Sequence, residues 1–283
     1  MKDVTFVYED EPKRFLESAG PFLYRHEAVN SLMLGLCEAM SVDDKEKPLL
    51  LRWGKDGQTV SAAVQTPPMD LGLTYCPKEI LPVLAEELLR KGVRFPGVVG
   101  PAEESECFAK IWAEKTGQSL SLGMGQKIYR LREVTFPRPI PGEFRAASSG
   151  DADLIERWTL EFVRESLPAS DNRSPEFWKT YARRAADQGT GHFWQIEGRP
   201  VAMAHVSRKT KHGVSINGVY TPSNFRRRGY ASALVAHLSQ KMLDSGKRFC
   251  VLYTDLSNPT SNRIYRQVGY EEIADSKHFV FSE

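Results

Sequence analysis

The chain has 283 residues, 41% hydrophobic and 26% charged, and its 38 Lys and Arg nearly cancel 36 Asp and Glu to leave a formal charge of +2. These proportions exclude collagen-like, coiled-coil and wholly disordered classes, and so even a balance offers no global field for gripping nucleic acid or an anionic membrane. The length is about twice that of a common domain, so two units are expected, with one large unit as the alternative.

Met1 to Glu9 alternates like a strand and shows no charged-then-apolar leader, so no signal peptide and a cytoplasmic location are expected. No apolar run approaches the ~20 residues that cross a bilayer. Cys37, Cys76, Cys107 and Cys250 are scattered, with no CxxC pair and no metal-ligand spacing. Reduced, mostly buried thiols are the expectation, with neither a disulfide nor a metal site.

Thr59 to Thr66 leads into a loop, Pro67 to Thr74, and Lys78 to Arg90 has helical apolar spacing with Pro82 tolerable in its first turn. Gly92 to Val99 reads as a strand, Glu103 to Lys115 as a helix, and Ser119 to Arg130 as strand with a turn. The sharpest composition break is Phe136 to Gly142, where Pro137, Pro139 and Pro141 forbid a helix and favour a semi-rigid connector. The expected division is therefore a first domain over 1–136, a linker over 137–143 and a second domain over 144–283.

In the second half, Ala231 to Leu243 is predicted as a helix with Leu234, Val235, Leu238 and Met242 on one side. Arg248 to Thr254 follows as a strand, Asn258 to Gln267 as a helix stopped near Gly269, and Glu271 onward as a closing strand. Strands and helices alternating at this pitch argue for an α/β protein with a mixed sheet. The two halves repeat a similar order, which suggests duplication.

The strongest local signal is Val214 to Pro222 followed by Ser223 to Ala231. A β-branched strand ends at proline, and a short loop with Arg226, Arg227, Arg228 and Gly229 opens the next helix. Unpaired N–H groups and the positive end of the helix dipole then meet three guanidinium groups, an arrangement suited to phosphate oxygens. No GxxxxGK[ST] is present, and no GxGxxG follows a strand.

Arg226-Arg227-Arg228-Gly229-Tyr230-Ala231 resembles the Arg/Gln-x-x-Gly-x-Gly/Ala acyl-CoA loop of the GNAT superfamily of N-acetyltransferases. Downstream, Asn258, Ser261, Tyr265, Gly269 and Tyr270 resemble the family's Asn-x-x-(Ala/Ser)-x-x-x-Tyr-x-x-x-Gly-Phe/Tyr motif. The wording Val219-Tyr220-Thr221-Pro222 is most similar to the branch related to glycine N-acyltransferases. The resemblance covers about Phe144 to Glu283 and implies the acyl-CoA N-acyltransferase fold, here as tandem GNAT-like halves. It implies acetyl-CoA as co-substrate, no metal, and a small-molecule amine or amino acid as acceptor. It places the pyrophosphate on Arg226 to Ala231, the thioester along the backbone of Val219, Tyr220 and Thr221, and the pantetheine near Asn258, Ser261 and Tyr265.

By resemblance Tyr265 is the general acid for the departing thiolate; packing of its ring against the pantetheine is the alternative. Asn258 either bonds that arm or caps the helix opened by Pro259. The chain departs from the family pattern in one respect: Val214 to Thr221 carries no carboxylate to act as base, and Asn217 is its main hydrogen-bonding side chain. Asp255, His205, Glu161 and Glu165 remain candidates, with His205 expected to be a hydrogen-bonded sheet residue. The acceptor is expected across Trp158 to Trp178, where Phe162, Arg164, Glu165, Asp171 and Arg173 suit a small zwitterion or form an ordinary amphipathic helix and loop.

The first half lacks the arginine loop, and Gly100 to Cys107 lacks the Asn and Tyr of the second motif, so it reads as a degenerate copy. Two functions remain: an acetyl-CoA-dependent N-acetyltransferase, or a non-catalytic acyl-CoA-binding module whose first half meets a partner. Nothing in the chain indicates an oligomeric state.

Overall fold

The apolar stretches of the chain condense into strands and helices that recur twice in one order. The computed structural model describes residues 4–40, 47–55, 57–166 and 173–283. The first run is β1 (Thr5–Glu9), α1 (Pro12–Leu23), α2 (Ser31–Ala39), β2 (Leu49–Lys55), β3 (Gln58–Gln65), β4 (Leu71–Leu73), α3 (Leu81–Arg90), β5 (Gly97–Pro101), α4 (Ala102–Thr116) and β6 (Ser119–Leu131). The second is β7 (Glu143–Ala146), α5 (Ala152–Ser166), α6 (Pro175–Asp187), β8 (Gly191–Ile196), β9 (Arg199–Ser207), β10 (Gly213–Tyr220), α7 (Tyr230–Asp244), β11 (Phe249–Asp255), α8 (Pro259–Val268) and β12 (Glu271–Ser282).

Two units result: one of residues 1–128 and 273–283, the other of residues 129–272. In the first, strands lie in the order β1-β2-β3-β4-β5-β12-β6; β4 and β5 are parallel, and β12 runs antiparallel to β5 with Phe279 opposite Val98. Most of the last strand thus sits in the first unit, not with the half that precedes it in sequence. In the second unit the order is β11-β10-β9-β8-β7, with β10 and β11 parallel and the other pairs antiparallel.

Several elements differ locally from expectation. The strand after α3 begins at Gly97, because Gly92 and Val93 donate backward to Leu89 and Leu88 carbonyls and close the helix first. β6 runs unbroken where a turn was expected, held extended beside β12. The proline segment is not a free connector: Ile140 packs on the core of the second unit, and Pro141 O accepts a 3.1 Å bond from Trp194 Nε1.

The second unit is layered. On one side of its sheet, Leu234, Val235 and Leu238 of α7 and Val268 of α8 pack on Val214, Ile216, Cys250 and Leu252. On the other, Ile155 and Trp158 of α5 with Ala182 and Ala186 of α6 cover Phe193, Met203 and Tyr220. Each fully buried large apolar side chain contributes ~1.5–3 kcal/mol. Helix starts are specified locally: Ser174 caps α6 by accepting from Phe177 N, and Asn258 caps α8 by accepting from Ser261 N, both at 3.1 Å and both followed by proline.

One irregularity shapes the sheet. The register of β10 against β9 pairs Asn217 with His205 and then Tyr220 with Met203, so a residue is bulged out between them. Gly218 lies there at φ 56°, and a Cβ at this position would stand 2.8 Å from Cδ2 of His205. Gly218→Ala is therefore expected to lower stability by about 1–2 kcal/mol from the left-handed backbone alone, with the contact added. Urea unfolding measures it, and an unchanged midpoint would contradict the bulge geometry.

Candidate functional site

Parallel pairing of β10 with β11 is short. Gly213, Val214 and Ser215 pair with Phe249, Cys250 and Val251; beyond them the strands run on to Tyr220 and Asp255 without further mutual pairing among the described residues. Backbone groups beyond this point are released from mutual pairing, at the kind of place where an open α/β sheet commonly holds its ligand.

The arginine loop leads from β10 to α7. Arg227 holds φ 62° and Gly229, the N-cap residue of α7, holds φ 83° with no side-chain cap. A left-handed arginine costs energy, and such strain concentrates at functional loops. Without a capping side chain, the first N–H groups of α7 are left for an anion. Arg227 and Arg228 are exposed, and neither has an ion-pair partner among the described residues.

Arg226 behaves differently. Its Nε donates to Thr221 O at 2.7 Å, its guanidinium is ion-paired to Glu165, and it lies 5.8 Å from the centroid of the Tyr220 ring. Hydrogen bonding from Arg226 is the main reason the Glu165 carboxyl lies below the usual carboxylate range. The Tyr220 hydroxyl is 3.0 Å from both Glu161 Oε2 and Glu165 Oε1, although it has one hydrogen to donate. Burial first, then those carboxylates, push its phenol above the ordinary range. Arg226 is thus folded back onto α5 rather than extended beside Arg227 and Arg228. This Glu161–Glu165 pairing with Tyr220, one helical turn apart on α5, was not legible in the sequence beyond the naming of both glutamates as candidates. Glu161 also borders a cleft of about 510 Å³ lined along α5 by Asp153, Glu156, Arg157, Leu160 and Arg164.

On α8, the Tyr265 ring packs in the core beside Tyr129 and Tyr270, at 6.4 and 5.9 Å between centroids. Its hydroxyl has no hydrogen-bond partner among the described residues, and burial alone raises its phenol above the ordinary value, so it keeps its proton at neutral pH. Asn258 is the cap of α8, and Ser261 supplies the N–H it receives. Asn262, unnoticed in the sequence, is tied at 2.5 Å to Thr254 Oγ1 of β11 and donates to the carbonyls of Asp255 and Asn258. It locks the start of α8 to the end of β11. Asp255 itself accepts from Ser257 N at 2.7 Å in the connecting turn.

On the opposite face of β9 and β10, His205 is 1% exposed, yet neither ring nitrogen has a hydrogen-bond partner among the described residues. The expectation of a hydrogen-bonded sheet histidine fails: the Tyr181 ring meets it in a T-shaped contact, 6.2 Å between centroids, and the Tyr181 hydroxyl is engaged by Asn217 instead. Asn217, directly opposite, donates from Nδ2 to Tyr181 OH at 3.0 Å. Of the expected acceptor stretch, Phe162 packs against the α5–α6 core and Arg173 stacks 4.2 Å from the Trp178 ring centroid; Asp171 lies outside the described residues. No group of three or more His, Cys, Asp or Glu able to hold a metal occurs among the described residues, where no helix is long and apolar enough to cross a membrane.

A parallel strand pair that parts next to a bulge, followed by a glycine-capped helix and a further strand and helix, defines the acyl-CoA N-acyltransferase fold. Residues 153–270 match the acetyltransferase (GNAT) family. Solved structures with the same fold extend over nearly the whole chain. A Drosophila protein aligns with a TM-score of 0.67 at 10% identity over 98% of each chain. A GCN5-related N-acetyltransferase from Sphaerobacter thermophilus aligns at 0.62 with 18% identity, covering 98% of this chain and 95% of its own. A tandem GNAT protein from the clavulanic acid biosynthesis pathway aligns at 0.56 with 14% identity, over 99% of this chain and 98% of its own. No curated protein sequence matches the chain.

Two buried histidines make stability depend on pH. Burial first, and Lys241 second, lower the His192 imidazole to about 4; burial first, and His192 second, lower His205 to about 4. Both are neutral when folded and bind protons near pH 6.5 when unfolded. Their contribution is therefore complete above about pH 6.5 and is lost as pH falls toward about 4. The urea midpoint is expected to fall across that window, and the fall should flatten in His192→Asn; an unaltered slope would place the titration elsewhere.

Proposed function

We propose that the chain is an acetyl-CoA-dependent N-acetyltransferase that acetylates the primary amine of a small molecule or amino acid by direct attack on the thioester. The observation that carries this reading is the parting of β10 and β11 beside a strained, uncapped loop whose Arg227 and Arg228 are exposed. A phosphate-bearing ligand fits these residues: Arg227, Arg228 and the first amides of α7 would hold the pyrophosphate. Backbone of Val219, Tyr220 and Thr221 would orient the thioester, and Asn258 and Ser261, engaged with each other as cap and capped, would border the pantetheine through α8.

The thioester supplies an activated acetyl carbon. Tyr265 has the properties that a proton donor to a departing thiolate needs: an unpartnered hydroxyl, on a ring packed in the core, that is still protonated at neutral pH. Arg226 serves the site by fixing Glu165 and Tyr220 at the mouth of β10, not by meeting phosphate. The first unit carries no such loop among its described residues, and a cytoplasmic location suits the co-substrate.

Thiol release from acetyl-CoA with an amine panel tests the activity; CoA binding without release would favour a binding module instead. Tyr265→Phe is expected to lower kcat about a hundredfold with CoA affinity unchanged, and an unchanged rate would remove its role as acid. Arg227→Ala with Arg228→Ala should weaken CoA about tenfold or more while leaving phosphate-free pantetheine binding in place. Equal losses for both ligands, read by calorimetry, would count against the pyrophosphate assignment.

A further inference from the structure

Among the groups named as possible bases, three are already engaged. Glu165 is ion-paired to Arg226 and held ionised, Glu161 faces the Tyr220 hydroxyl, and Asp255 closes the turn before α8. His205 is different. It is almost wholly buried, and both of its ring nitrogens lack partners among the described residues. Its position follows from the bulge: a Cβ on Gly218 would lie 2.8 Å from Cδ2 and 3.7 Å from Nε2, so that edge of the ring stands directly beneath the bulged backbone. Gly191, opposite His205 on β8, lies near Cε1 on the other side.

The histidine is not isolated. Asn217, its cross-strand partner, has an Oδ1 without a hydrogen-bond donor, and the next pair along the same face, Ser215 and Ser207, has two unpartnered hydroxyls. Directly opposed residues in antiparallel strands hold their Cβ atoms about 5 Å apart, so these side chains form one row. Buried polar groups without protein partners carry a large desolvation cost, and native proteins tolerate them where water or a reacting group completes them. A row of four such residues ending beneath the bulge is a built feature of the second unit.

We infer that His205 takes the proton released by the acceptor amine, at Nε2 beneath the Gly218 bulge, with Asn217, Ser215 and Ser207 as the polar row behind it. This rests on the proposed acetyl transfer, in which the thioester is oriented along Val219 to Thr221, immediately after that bulge. The amine enters neutral. The C–N bond forms and the C–S bond breaks; the amine proton passes to His205, and the Tyr265 proton passes to sulfur. The nitrogen becomes far more acidic as it turns into an amide nitrogen, so even a weakly basic imidazole can accept from it. Burial disfavours the resulting imidazolium, which therefore surrenders its proton to solvent while the Tyr265 phenolate regains one, and both groups return to their starting states. His205 keeps no charge between turnovers.

The test uses the full chain, with acetyl-CoA and with glycine, lysine and benzylamine as acceptor probes, following thiol release, CoA binding by calorimetry and urea unfolding. His205→Asn is expected to lower kcat about a hundredfold, with CoA affinity and the acceptor KM within about twofold of the wild type. His205→Leu should lose the same rate while its unfolding midpoint stays level or rises, because an unpartnered polar group is replaced by an apolar one. A histidine that only fills space predicts the reverse pairing, with the midpoint lowered and kcat retained in the folded fraction, and that result would overturn the assignment. Wild-type turnover with kcat unchanged in both variants would overturn it alone. Wild-type protein that binds CoA but acetylates none of the probes would overturn the transferase reading, and the role of His205 with it.

Discussion

The separation of β10 from β11 is the constraint on which the second unit depends. Parallel strands ordinarily stay paired, because each N–H and C=O released from the ladder must be satisfied elsewhere. Here the ladder lasts three residue pairs. The bulge at Gly218 then raises the local twist and steps the side-chain alternation by one. Ser215 and Asn217 face α6, and ordinary alternation would send Val219 after them. Instead Val219 packs on the α7 side and Tyr220 reaches the α5 side. One left-handed glycine thus opens the cleft and delivers Tyr220 to the two glutamates.

The charges around the cleft follow from that placement. Tyr220 arrives between Glu161 and Glu165, and two carboxylates a helical turn apart repel unless a cation joins them. Arg226 supplies it and bonds the Thr221 carbonyl at the same time. The first arginine of the loop is consumed in holding the end of β10, and the left-handed turn at Arg227 sends the next two away from it. An overall charge of +2 conceals this division of labour. Exposure screens the Arg226–Glu165 pair, so its role is orientation more than stability.

Much of this was legible in the sequence where the signal is local. The helices α7 and α8 were marked by their apolar spacing and end residues, and the arginine loop by its glycine. Asn258 before Pro259 suits either a ligand or a cap, and its side chain caps α8. What escaped depends on pairing between distant segments. The bulge is invisible in Asn217-Gly218-Val219 until β9 fixes the register. His205 reads as an ordinary strand residue because nothing in Val201 to Val206 shows that its neighbours withhold hydrogen bonds. Composition marks the proline segment as a connector, yet Ile140 and the Pro141 carbonyl anchor it to Trp194 and the core. One partner of the final strand, β5, lies far back in the chain, and no periodicity in Glu271 to Ser282 indicates it.

The first unit separates the fold from its chemistry. It repeats the order of the second down to a parallel pair, β4 and β5, with Leu71 opposite Val98 and Gly72 opposite Val99. At the corresponding point before its next helix, however, the chain enters α3 through a 3₁₀ turn over Lys78 to Ile80, with Pro82 in the first turn. No arginine lies between Thr74 and Pro82, and Lys78 is bonded to Glu103 at 2.7 Å. Glu103 and Glu104 stand in the first turn of α4, where their charge complements that helix's own dipole. An incoming phosphate would meet carboxylates where the second unit presents Arg227 and Arg228. The sheet needs only the apolar strands, and these are kept in both copies; the left-handed, uncapped and basic loop before the helix is present in one.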